Sequence, residues 1–455
     1  MTAARIAFGL LLLFFITVSA AEPNDAELMS LLKQRVDTQR WATGVVLGIS
    51  SPGGRRIVAY GQVDSNDPRS VGGDTVFEIA SLTKVFTSLL LADMAVRGEL
   101  SLQAPVATCL RSKSSDLPAR NGKQIAFIDL ATHSSGLPLR PTNLASQTGA
   151  NKYAGYTSTQ LYQALGAFTL ERDIGSSFEY SNWGYGLLGD ALARCADTSY
   201  AALLHERITQ PLGMSDTRLV PSAQMKSRAA VGHDEQFAPT TAGDLGALEG
   251  AGGLYSTAND LIKFIEAFLG RRQTTLGPAM ATMLAETRPG DNPSTRIGLG
   301  WRISTDDDHQ VVWSNGRSDG FRSFMGYDPQ RRIGVVALAN AATDVGVDDI
   351  GNYVLDSRQQ PVRPHERIVL SAAVLERYIG QYRYEDGSVM SIIRDGDLVV
   401  GQWTEGSSLI FAESERVFNL DDVEAQLIFE EPVDGHAPGV TLHQNGKSFR
   451  AERVR

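Results

Sequence analysis

The residue pattern of the chain changes at a polar stretch, residues 356–367, that contains two prolines and no apolar period. Beyond it, short alternating runs are separated by Asp-Gly or Asn-Gly pairs that begin at positions 386, 395, 434 and 445, and such pairs are hairpin turn signals. A single hydrophobic core stops growing at about 250–300 residues, so a chain of 455 residues is expected to form more than one domain. We predict a first domain over residues 25–355, a linker over residues 356–367 and a small all-β barrel over residues 368–455.

The first domain mixes helical and strand periodicities. Helical spacing predicts amphipathic helices over residues 185–193, 200–208 and 261–269. A strongly apolar helix begins at Ser81 and ends before Gly98, a residue type favoured just past a helix end. Alternation predicts a hairpin over residues 44–60 and consecutive antiparallel strands between residues 298 and 340. Strands on both sides of the helical region predict an α+β domain whose sheet is completed by both ends of its sequence.

The first twenty residues have the features of a secretory signal peptide. Arg5 supplies a positive charge, residues 6–18 are apolar and uncharged, and residues 18–20 are small. The apolar stretch is too short to span a bilayer about 30 Å thick. We therefore expect a secreted, periplasmic protein without stable membrane insertion. A net charge of −10 and the absence of a basic run argue against a nucleic-acid partner.

Two cysteines, Cys109 and Cys195, would enter an oxidising compartment. They could form a structural disulfide, which is common in exported proteins. They could equally be two buried small hydrophobic residues. Sequence alone does not give the distance between them, so both alternatives stay open.

The segment FEIASLTKVFT carries a serine and a lysine three positions apart, Ser81 and Lys84. On a helix these side chains lie one turn apart on the same face, and serine becomes a nucleophile only when a base accepts its proton. Such a pair can also occur by chance at a helix start. However, Lys84 is the only charge between Glu78 and Asp93, and a buried unpaired lysine is costly. A catalytic role is therefore the favoured interpretation, because burial lowers a lysine pKa.

Two further segments offer polar groups for a site. EYSN contains Tyr180 and Asn182, a phenol that can relay a proton and an amide that can donate and accept hydrogen bonds. WSNGRSDGF, residues 313–321, formally contains G-x-S-x-G around Ser318. That motif requires a helix directly after the serine, whereas FRSFMGY predicts a strand. We therefore interpret the G-x-S-x-G match as coincidental.

These segments, in this order, resemble the serine hydrolases related to class C β-lactamases, a superfamily that also includes D-alanyl-D-alanine peptidases and esterases. The resemblance extends to LATHSSGLP, QPLGM and GAGGLYSTANDL, at residues 130–138, 210–214 and 250–261. It covers about residues 25–355 and implies an antiparallel sheet flanked by helices plus an all-helical lobe. The segment after the linker, residues 368–455, resembles a lipocalin-like accessory barrel. Within LATHSSGLP, we interpret His133 as a residue that holds a turn.

The resemblance implies catalytic roles for Ser81 as the acylated nucleophile, Lys84 as its partner and Tyr180 as a proton relay. Asn182 is implied as a substrate-orienting amide. The family's third motif, whose positions begin at Ser314 in this chain, supplies the other implied substrate-binding residues. There, the backbone N–H groups of Arg317 and of Ser81 would hold the oxyanion. These residues are Ser314, Asn315, Gly316 and Arg317.

The third motif departs from the family pattern, which places lysine or histidine where this chain has Ser314. Replacing a charge-assisted contact by a neutral one costs about 1–2 kcal/mol. We hypothesise that Arg317 or Arg322 supplies part of the missing charge; the alternative is that both are solvated strand residues. Two smaller departures are Ala80, where glycine is usual, and Thr83, where serine or alanine is usual.

The resulting prediction is a serine hydrolase that forms an acyl-enzyme and prefers the strained amide of a β-lactam. Peptidoglycan D-Ala-D-Ala cleavage or ester hydrolysis at the same residues is the first alternative. A non-catalytic binder of cell-wall peptides is an alternative of another class. No histidine or cysteine cluster has metal-ligand spacing, so we expect no metal and no cofactor.

Overall fold

The computed structural model describes residues 22–110, 117–144, 153–241, 243–306, 309–343, 345–363, 367–395, 398–403, 406–420, 425–444 and 447–454. The predicted signal peptide, residues 1–20, lies outside the described residues. The helices are α1 (Asp25–Lys33), α2 (Thr83–Val96), α3 (Phe127–Ala131), α4 (Ser158–Ala167), α5 (Asn182–Cys195), α6 (Tyr200–Leu204), α7 (Ala223–Lys226), α8 (Glu249–Gly252), α9 (Ala258–Phe268), α10 (Gly277–Ala285), α11 (Asp348–Leu355) and α12 (Ala372–Leu375).

The strands fall into one large sheet, two short pairs and a barrel. Those before residue 340 are β1 (Gly44–Ser51), β2 (Gly54–Asp64), β3 (Asp67–Ser70), β4 (Val76–Glu78), β5 (Ala119–Arg120), β6 (Lys123–Gln124), β7 (Tyr255–Thr257), β8 (Arg288–Pro289), β9 (Thr295–Ile297), β10 (Arg302–Asp306), β11 (His309–Arg317), β12 (Arg322–Asp328) and β13 (Ile333–Ala339). Those of the barrel are β14 (Gly380–Tyr384), β15 (Val389–Asp395), β16 (Leu398–Trp403), β17 (Gly406–Ala412), β18 (Val417–Leu420), β19 (Ala425–Phe429), β20 (Gly439–Gln444) and β21 (Lys447–Arg453).

The large sheet joins the beginning and the end of the first domain. Its order among the described strands is β3-β2-β1-β13-β12-β11-β10-β9-β8, and β1 pairs antiparallel with both β2 and β13. Every residue of β1 is buried, because helices cover both faces of this part of the sheet. The predicted α+β architecture, with a sheet completed from both ends of the sequence, is confirmed.

Two apolar cores lie on opposite faces of the sheet. The larger core packs α2, α5 and α9 with one face of the strands, and it includes Phe86, Leu187 and Phe264. The smaller core packs α1 and α11 against the other face. A Cβ atom at Gly48 would lie 2.7 Å from Ile262 Cγ1, so glycine lets α9 approach β1 closely. Because the two cores lie on opposite faces of the sheet and side chains alternate along a strand, neighbouring residues of β11 and β12 pack into different cores.

The structure joins Cys109 and Cys195 in a disulfide with a Cα–Cα distance of 4.9 Å. Cys195 is the last residue of α5 and Cys109 ends a 3₁₀ turn, Val106–Cys109. The bond therefore ties the C-terminal end of α5 to the segment that follows α2. Of the two alternatives that the sequence left open, this geometry is that of the disulfide.

The C-terminal region forms a closed barrel in the order β14 to β21. Aromatic rings of Tyr378, Tyr382, Phe418 and Phe429 pack against one another in its interior. The predicted all-β barrel is confirmed. The described part of the predicted linker, residues 356–363 and 367, contains no helix or strand. None of the helices that the structure describes is both long enough and apolar enough to cross a bilayer.

Candidate active site

A cleft of about 840 Å³ opens where β11 passes the beginning of α2. Its lining includes all three predicted catalytic residues, and the predicted substrate-binding residues of the second and third motifs also border it. The three motifs are separated by about a hundred residues in the sequence, and the fold brings them to one place. These cleft-lining residues are Ser81, Lys84, Tyr180, Asn182, Ser314, Asn315, Gly316 and Arg317.

Ser81 lies at the centre of a three-residue hydrogen-bond cluster. Lys84 Nζ donates to Ser81 Oγ at 2.9 Å, and Tyr180 OH donates to the same oxygen at 2.6 Å. Lys84 Nζ also lies 4.7 Å from the centroid of the Tyr180 ring. The amine and the phenol therefore contact the hydroxyl together, and each can exchange a proton with it.

The environment separates the roles of Lys84 and Tyr180. Lys84 is only 3% exposed, and burial lowers the pKa of its amine well below that of an exposed lysine. Burial raises the pKa of Tyr180 to about 12, against the lowering effects of its hydrogen bond to Ser81 and of the Arg302 charge. Near neutral pH the phenol is thus a proton donor, while a neutral amine can accept the serine proton. These opposite shifts favour Lys84 over Tyr180 as the group that accepts a proton.

A strained turn presents Ser81 to the cleft. A 3₁₀ turn, Ala80–Leu82, precedes α2, and Ala80 has φ of 45°, a conformation that non-glycine residues seldom adopt. Two hydrogen bonds fix Ile79, the residue before this turn. Ile79 N donates to Leu254 O at 3.0 Å, and Ser323 Oγ donates to Ile79 O at 2.8 Å. The apolar helix predicted to begin at Ser81 thus begins as a 3₁₀ turn and becomes α-helical at Thr83.

His133 holds the segment that carries Tyr180. Its Nδ1 accepts a hydrogen bond from Ser181 N at 3.0 Å, its carbonyl accepts one from Glu179 N at 2.8 Å, and its ring lies 4.5 Å from the Tyr180 ring centroid. Burial, followed by the charges of Lys84 and Arg302, lowers the pKa of His133 well below its usual value. The imidazole is therefore neutral and carries its proton on Nε2, in agreement with a turn-holding role.

Asn182 begins α5 beside Tyr180. The helix is capped by Ser181, whose Oγ accepts from Gly184 N at 2.8 Å. Asn182 Oδ1 is buried and has no hydrogen-bond partner among the described residues. An unpaired buried acceptor is costly, so this oxygen is suited to receive an N–H group of a substrate.

Gly316 allows β11 to pass directly beside Ser81. A Cβ atom at this position would lie 2.6 Å from Ile79 O and 2.9 Å from Ser81 N, closer than real Cβ contacts. Strand alternation places Ser314 on the same face as Gly316. The adjacent backbone of β11 and the N–H of Ser81 can thus border one oxyanion position.

Asn315 lies on β11 with its side chain turned away from this face. Its Nδ2 donates to Asp348, the first residue of α11, and burial raises the pKa of the Asp348 carboxyl to about 6. Asn315 thus borders the cleft, while its amide links the sheet to α11.

Both arginines proposed to replace the missing cation line the cleft. Arg317 forms an ion pair with Glu235 at an exposed position. Arg322 extends along Gly346, where an added Cβ would lie 3.2 Å from Arg322 Cδ, and its charge acts on Asp348. The hypothesis of compensation by Arg317 or Arg322 therefore stays a prediction.

Arg302 is a cleft residue that the sequence motifs did not identify. Its guanidinium carbon lies 5.4 Å from the Phe178 ring centroid and 5.5 Å from that of Trp313. It occurs in no motif, and only the pairing of Arg302 with Trp313, one residue before Ser314, reveals its position. A cation on the strand next to β11 therefore lines the cleft beside Trp313.

Glu78 is a second residue that the motifs did not identify. It is buried three residues before Ser81 and accepts hydrogen bonds from Gly243 N at 2.9 Å and Tyr255 OH at 3.2 Å. Burial raises the pKa of its carboxyl. Glu78 thus ties one wall of the cleft to the segment before Ser81. Within the described ranges, no three His, Cys, Asp or Glu side chains are grouped to hold a metal ion.

Comparison with known proteins extends this picture. The profile of the family described as Beta-lactamase matches residues 28–359. The D-alanyl-D-alanine-carboxypeptidase/endopeptidase AmpH of Escherichia coli is 30% identical over 312 residues, which cover 65% of this chain and 79% of the relative.

Solved structures show the same fold. A class C β-lactamase from Rhodobacter sphaeroides superposes with a TM-score of 0.59 and 26% identity, covering 69% of this chain and 93% of that one. A β-lactamase/D-alanine carboxypeptidase from Pseudomonas syringae superposes with a TM-score of 0.61 and 23% identity, covering 70% of this chain and 94% of that one. The profile match over most of the chain, together with the relative at 30% identity, shows that this protein belongs to the β-lactamase family of serine hydrolases.

Proposed function

We propose that the protein hydrolyses β-lactam amides through an acyl-enzyme on Ser81. One observation carries the proposal: Ser81 Oγ receives hydrogen bonds from Lys84 Nζ at 2.9 Å and from Tyr180 OH at 2.6 Å. A serine contacted by a base and by a proton donor can attack a carbonyl carbon and also protonate the leaving group.

Acylation begins when Ser81 Oγ attacks the carbonyl carbon and its proton passes to the neutral amine of Lys84. The C–N bond then breaks, and the leaving nitrogen takes the phenolic proton of Tyr180. Tyr180 recovers a proton from Lys84, so the amine is neutral again when the acyl-enzyme has formed. The lowered pKa of Lys84 supports this order, because a protonated amine could not begin it.

The oxyanion formed in this step needs donors close to Ser81. We assign them to the backbone N–H groups of Ser81 and Arg317. The support is the close approach of β11, since an added Cβ at Gly316 would lie 2.9 Å from Ser81 N. Preorganised donors of this kind stabilise the transition state by about 2.7–4 kcal/mol each. Deacylation reverses the proton path, with water in place of serine.

D-alanyl-D-alanine carboxypeptidase or endopeptidase activity is the second candidate. The observation in its favour is the AmpH relative, 30% identical to this chain. Ester hydrolysis would use the same residues. A non-catalytic peptide binder is disfavoured by the burial of Lys84, because an ionisable amine in an apolar helix is costly without a catalytic use. We also propose export to the periplasm, on the basis of residues 1–20 and of the disulfide between Cys109 and Cys195.

Mass spectrometry of the intact protein after mixing with a labelled penicillin tests these proposals. Rapid adduct formation on Ser81 followed by release indicates a β-lactamase. A stable adduct indicates acylation without turnover, which favours the peptidase. Ser81→Ala is the control and should carry no label. Absence of any adduct on the wild-type protein, with ester hydrolysis also absent, would contradict a serine hydrolase and favour the binder.

A further inference from the structure

We propose that a second cavity in the first domain, remote from Ser81, binds the phosphate group of a phosphomonoester. This distal cavity has a volume of about 480 Å³, and its charged lining residues are Arg55, Glu266, Arg271 and Arg332. It shares no lining residue with the cleft that contains Ser81. The inference therefore goes beyond the proposed function and does not depend on it.

Strand register places the distal cavity and the cleft at opposite ends of the large sheet. Ser50, which borders the distal cavity, is paired with Gly334 near the beginning of β13. At the other end of β13, Ala339 is paired with Arg322, which borders the cleft. The strand between residues 334 and 339 separates these two levels of the sheet by about 17 Å, at about 3.4 Å per residue.

Positive charge predominates in the lining of the distal cavity. Arg55, Arg271 and Arg332 border it together with one acidic residue, Glu266, so three positive charges face one negative charge. The arginines come from three separate parts of the chain, namely the beginning of β2, the segment after α9 and the turn before β13. The fold gathers them around one cavity.

Two of these three arginines have no acidic partner among the residues that the structure describes. Glu266 pairs with Arg55, accepting from its Nε at 3.0 Å and also from its Nη2. The hydrogen-bond acceptors of Arg271 and Arg332 are uncharged oxygens. Because both guanidinium groups border the same cavity, an anion bound there would be attracted by both.

Arg271 is held in place before any ligand arrives. Its Nη2 donates to Arg332 O at 2.7 Å, and its Nη1 donates to Ser51 O and, at 3.3 Å, to Ser50 Oγ. Burial, followed by the charge of Arg332, lowers the pKa of Arg271, while the charges of Glu266 and Glu22 act in the opposite direction. A bound anion would offset the repulsion between the two arginines.

Donor groups of both arginines are left for such an anion. In the described part of the chain, Nε of Arg271 has no hydrogen-bond acceptor, and neither has Nε or Nη1 of Arg332. Guanidinium groups match the oxygens of phosphate in geometry and charge.

A phosphomonoester fits the distal cavity better than a carboxylate does. At neutral pH its phosphate carries a charge of about −1.5 to −2, which matches the excess of two positive charges in the lining. A carboxylate carries a single negative charge and would leave part of this excess uncompensated. The volume of about 480 Å³ is within the range of about 300–1,000 Å³ for small-molecule sites, so it also leaves room for the group that the phosphate esterifies.

Two probes distinguish a soluble ligand from a lipid headgroup. Calorimetry with glycerol 3-phosphate, with glycerol as the uncharged control, measures binding of a soluble phosphomonoester. Flotation with phosphatidylcholine vesicles that contain phosphatidic acid, compared with phosphatidylcholine alone, measures binding of the same group on a membrane. We expect binding of glycerol 3-phosphate if the ligand is soluble, and binding only to the phosphatidic acid vesicles if it is a lipid. Failure of both probes to bind the wild-type protein overturns the inference.

Variants of the lining test which residues bind the probe. Arg332→Gln and Arg271→Gln should each weaken binding about 10–100-fold, because each removes charge-assisted hydrogen bonds. Glu266→Gln should strengthen binding a few-fold, since it removes the acidic charge and releases Arg55. Arg272→Gln is the matched control, because Arg272 follows Arg271 in the chain but does not border the distal cavity. It should leave binding unchanged.

Folding and acylation keep the outcomes distinct. Circular dichroism establishes that each variant is folded, and Arg332→Gln is the decisive variant because Arg332 is exposed in a turn. Undiminished binding by folded Arg332→Gln overturns the inference even if Arg271→Gln does not fold. The labelling of Ser81 by penicillin should be the same in Arg332→Gln and in the wild-type protein. If neither is labelled but both glycerol 3-phosphate binding and its loss in Arg332→Gln are observed, the proposed function fails and the phosphate site stands.

Discussion

Lys84 Nζ lies 2.9 Å from Ser81 Oγ although Lys84 is 97% removed from solvent, its exposed fraction being 3%. The amine has a carbonyl acceptor, Ala251 O, at 2.6 Å, and no carboxylate forms an ion pair with it among the described residues. A protonated amine in this position is unfavourable. The same burial that costs stability lowers the pKa of Lys84 and so favours its neutral, proton-accepting form.

Lys84→Met should separate catalysis from stability. Methionine retains the buried volume and removes the base, so the acylation rate should fall about 10²–10⁴-fold. The free energy of unfolding should not decrease, because no charged group is then transferred from water to the interior. Stopped-flow acylation and urea titration measure the two quantities. A fall in stability of several kcal/mol together with near-normal acylation would contradict the assignment. Ser81→Ala is the control for background hydrolysis.

The pH dependence of stability should reveal the buried amine. The pKa of Lys84 is lower in the folded protein than its unfolded value of 10.5. Between these two values the unfolded chain binds more protons, so the free energy of unfolding rises with pH. Below the folded pKa both states are protonated, and the full cost of burial is present. Lys84→Met should reduce this slope in urea titrations at a series of pH values. An identical slope in both proteins would show that Lys84 is not the cause.

The acylation rate should follow the same titration. It should rise with pH as Lys84 loses its proton, at a pKa below that of an exposed lysine. It should stay high until Tyr180 loses its phenolic proton, whose pKa is about 12. Single-turnover rates with a chromogenic substrate measure the ascending limb. A rate that falls on going from pH 6 to pH 9 in a folded protein would be inconsistent with a lysine base.

His133 should act by positioning Tyr180. His133→Leu removes the acceptor for Ser181 N and leaves a buried donor unpaired, at a cost of about 1–3 kcal/mol in the free energy of unfolding. Displacement of the phenol should lower kcat by about 10–100-fold. His133→Asn offers an amide oxygen in place of Nδ1 and should recover part of both losses. Equal kcat in the wild-type and leucine variants would exclude the positioning role.

Gly316→Ala should damage the oxyanion position. The new Cβ would meet Ile79 O at 2.6 Å and Ser81 N at 2.9 Å, and both are backbone atoms that cannot move freely. Displacing β11 should lower the acylation rate about 10²–10³-fold and stability by about 1–3 kcal/mol. Gly277→Ala is a matched control, because nothing lies within 4 Å of its added Cβ. Normal acylation by Gly316→Ala would show that β11 does not border the oxyanion.

Ala80→Gly should relieve backbone strain in the turn before Ser81. Ala80 has φ of 45°, where a Cβ atom costs about 1–2 kcal/mol, while glycine adds about 0.4–1 kcal/mol of unfolded-state entropy. The net gain in the free energy of unfolding should be about 0.5 kcal/mol. Thermal denaturation measures it. A loss of stability would show that the turn before Ser81 is not strained.

The local sequence already determined those features of the protein that depend on residues close to one another along the chain. Ser81 and Lys84 are one helical turn apart in any helix, so their contact could be predicted without a structure. Hairpin pairs such as Asp386-Gly387 and strand alternation indicated the barrel and the sheet. Tyr180 and Asn182 were identified through the family resemblance, which preserves motif order along the chain.

Tertiary structure decided what depends on register and on which face of a strand meets which core. Asn315 is adjacent to Gly316, yet its amide turns to Asp348, because alternate residues of β11 face different cores. Arg302 lies beside Trp313 only because β10 pairs with β11, and the bond between Cys109 and Cys195 depends on how α5 packs. Such distances arise from long-range packing, whose geometry no short stretch of sequence contains.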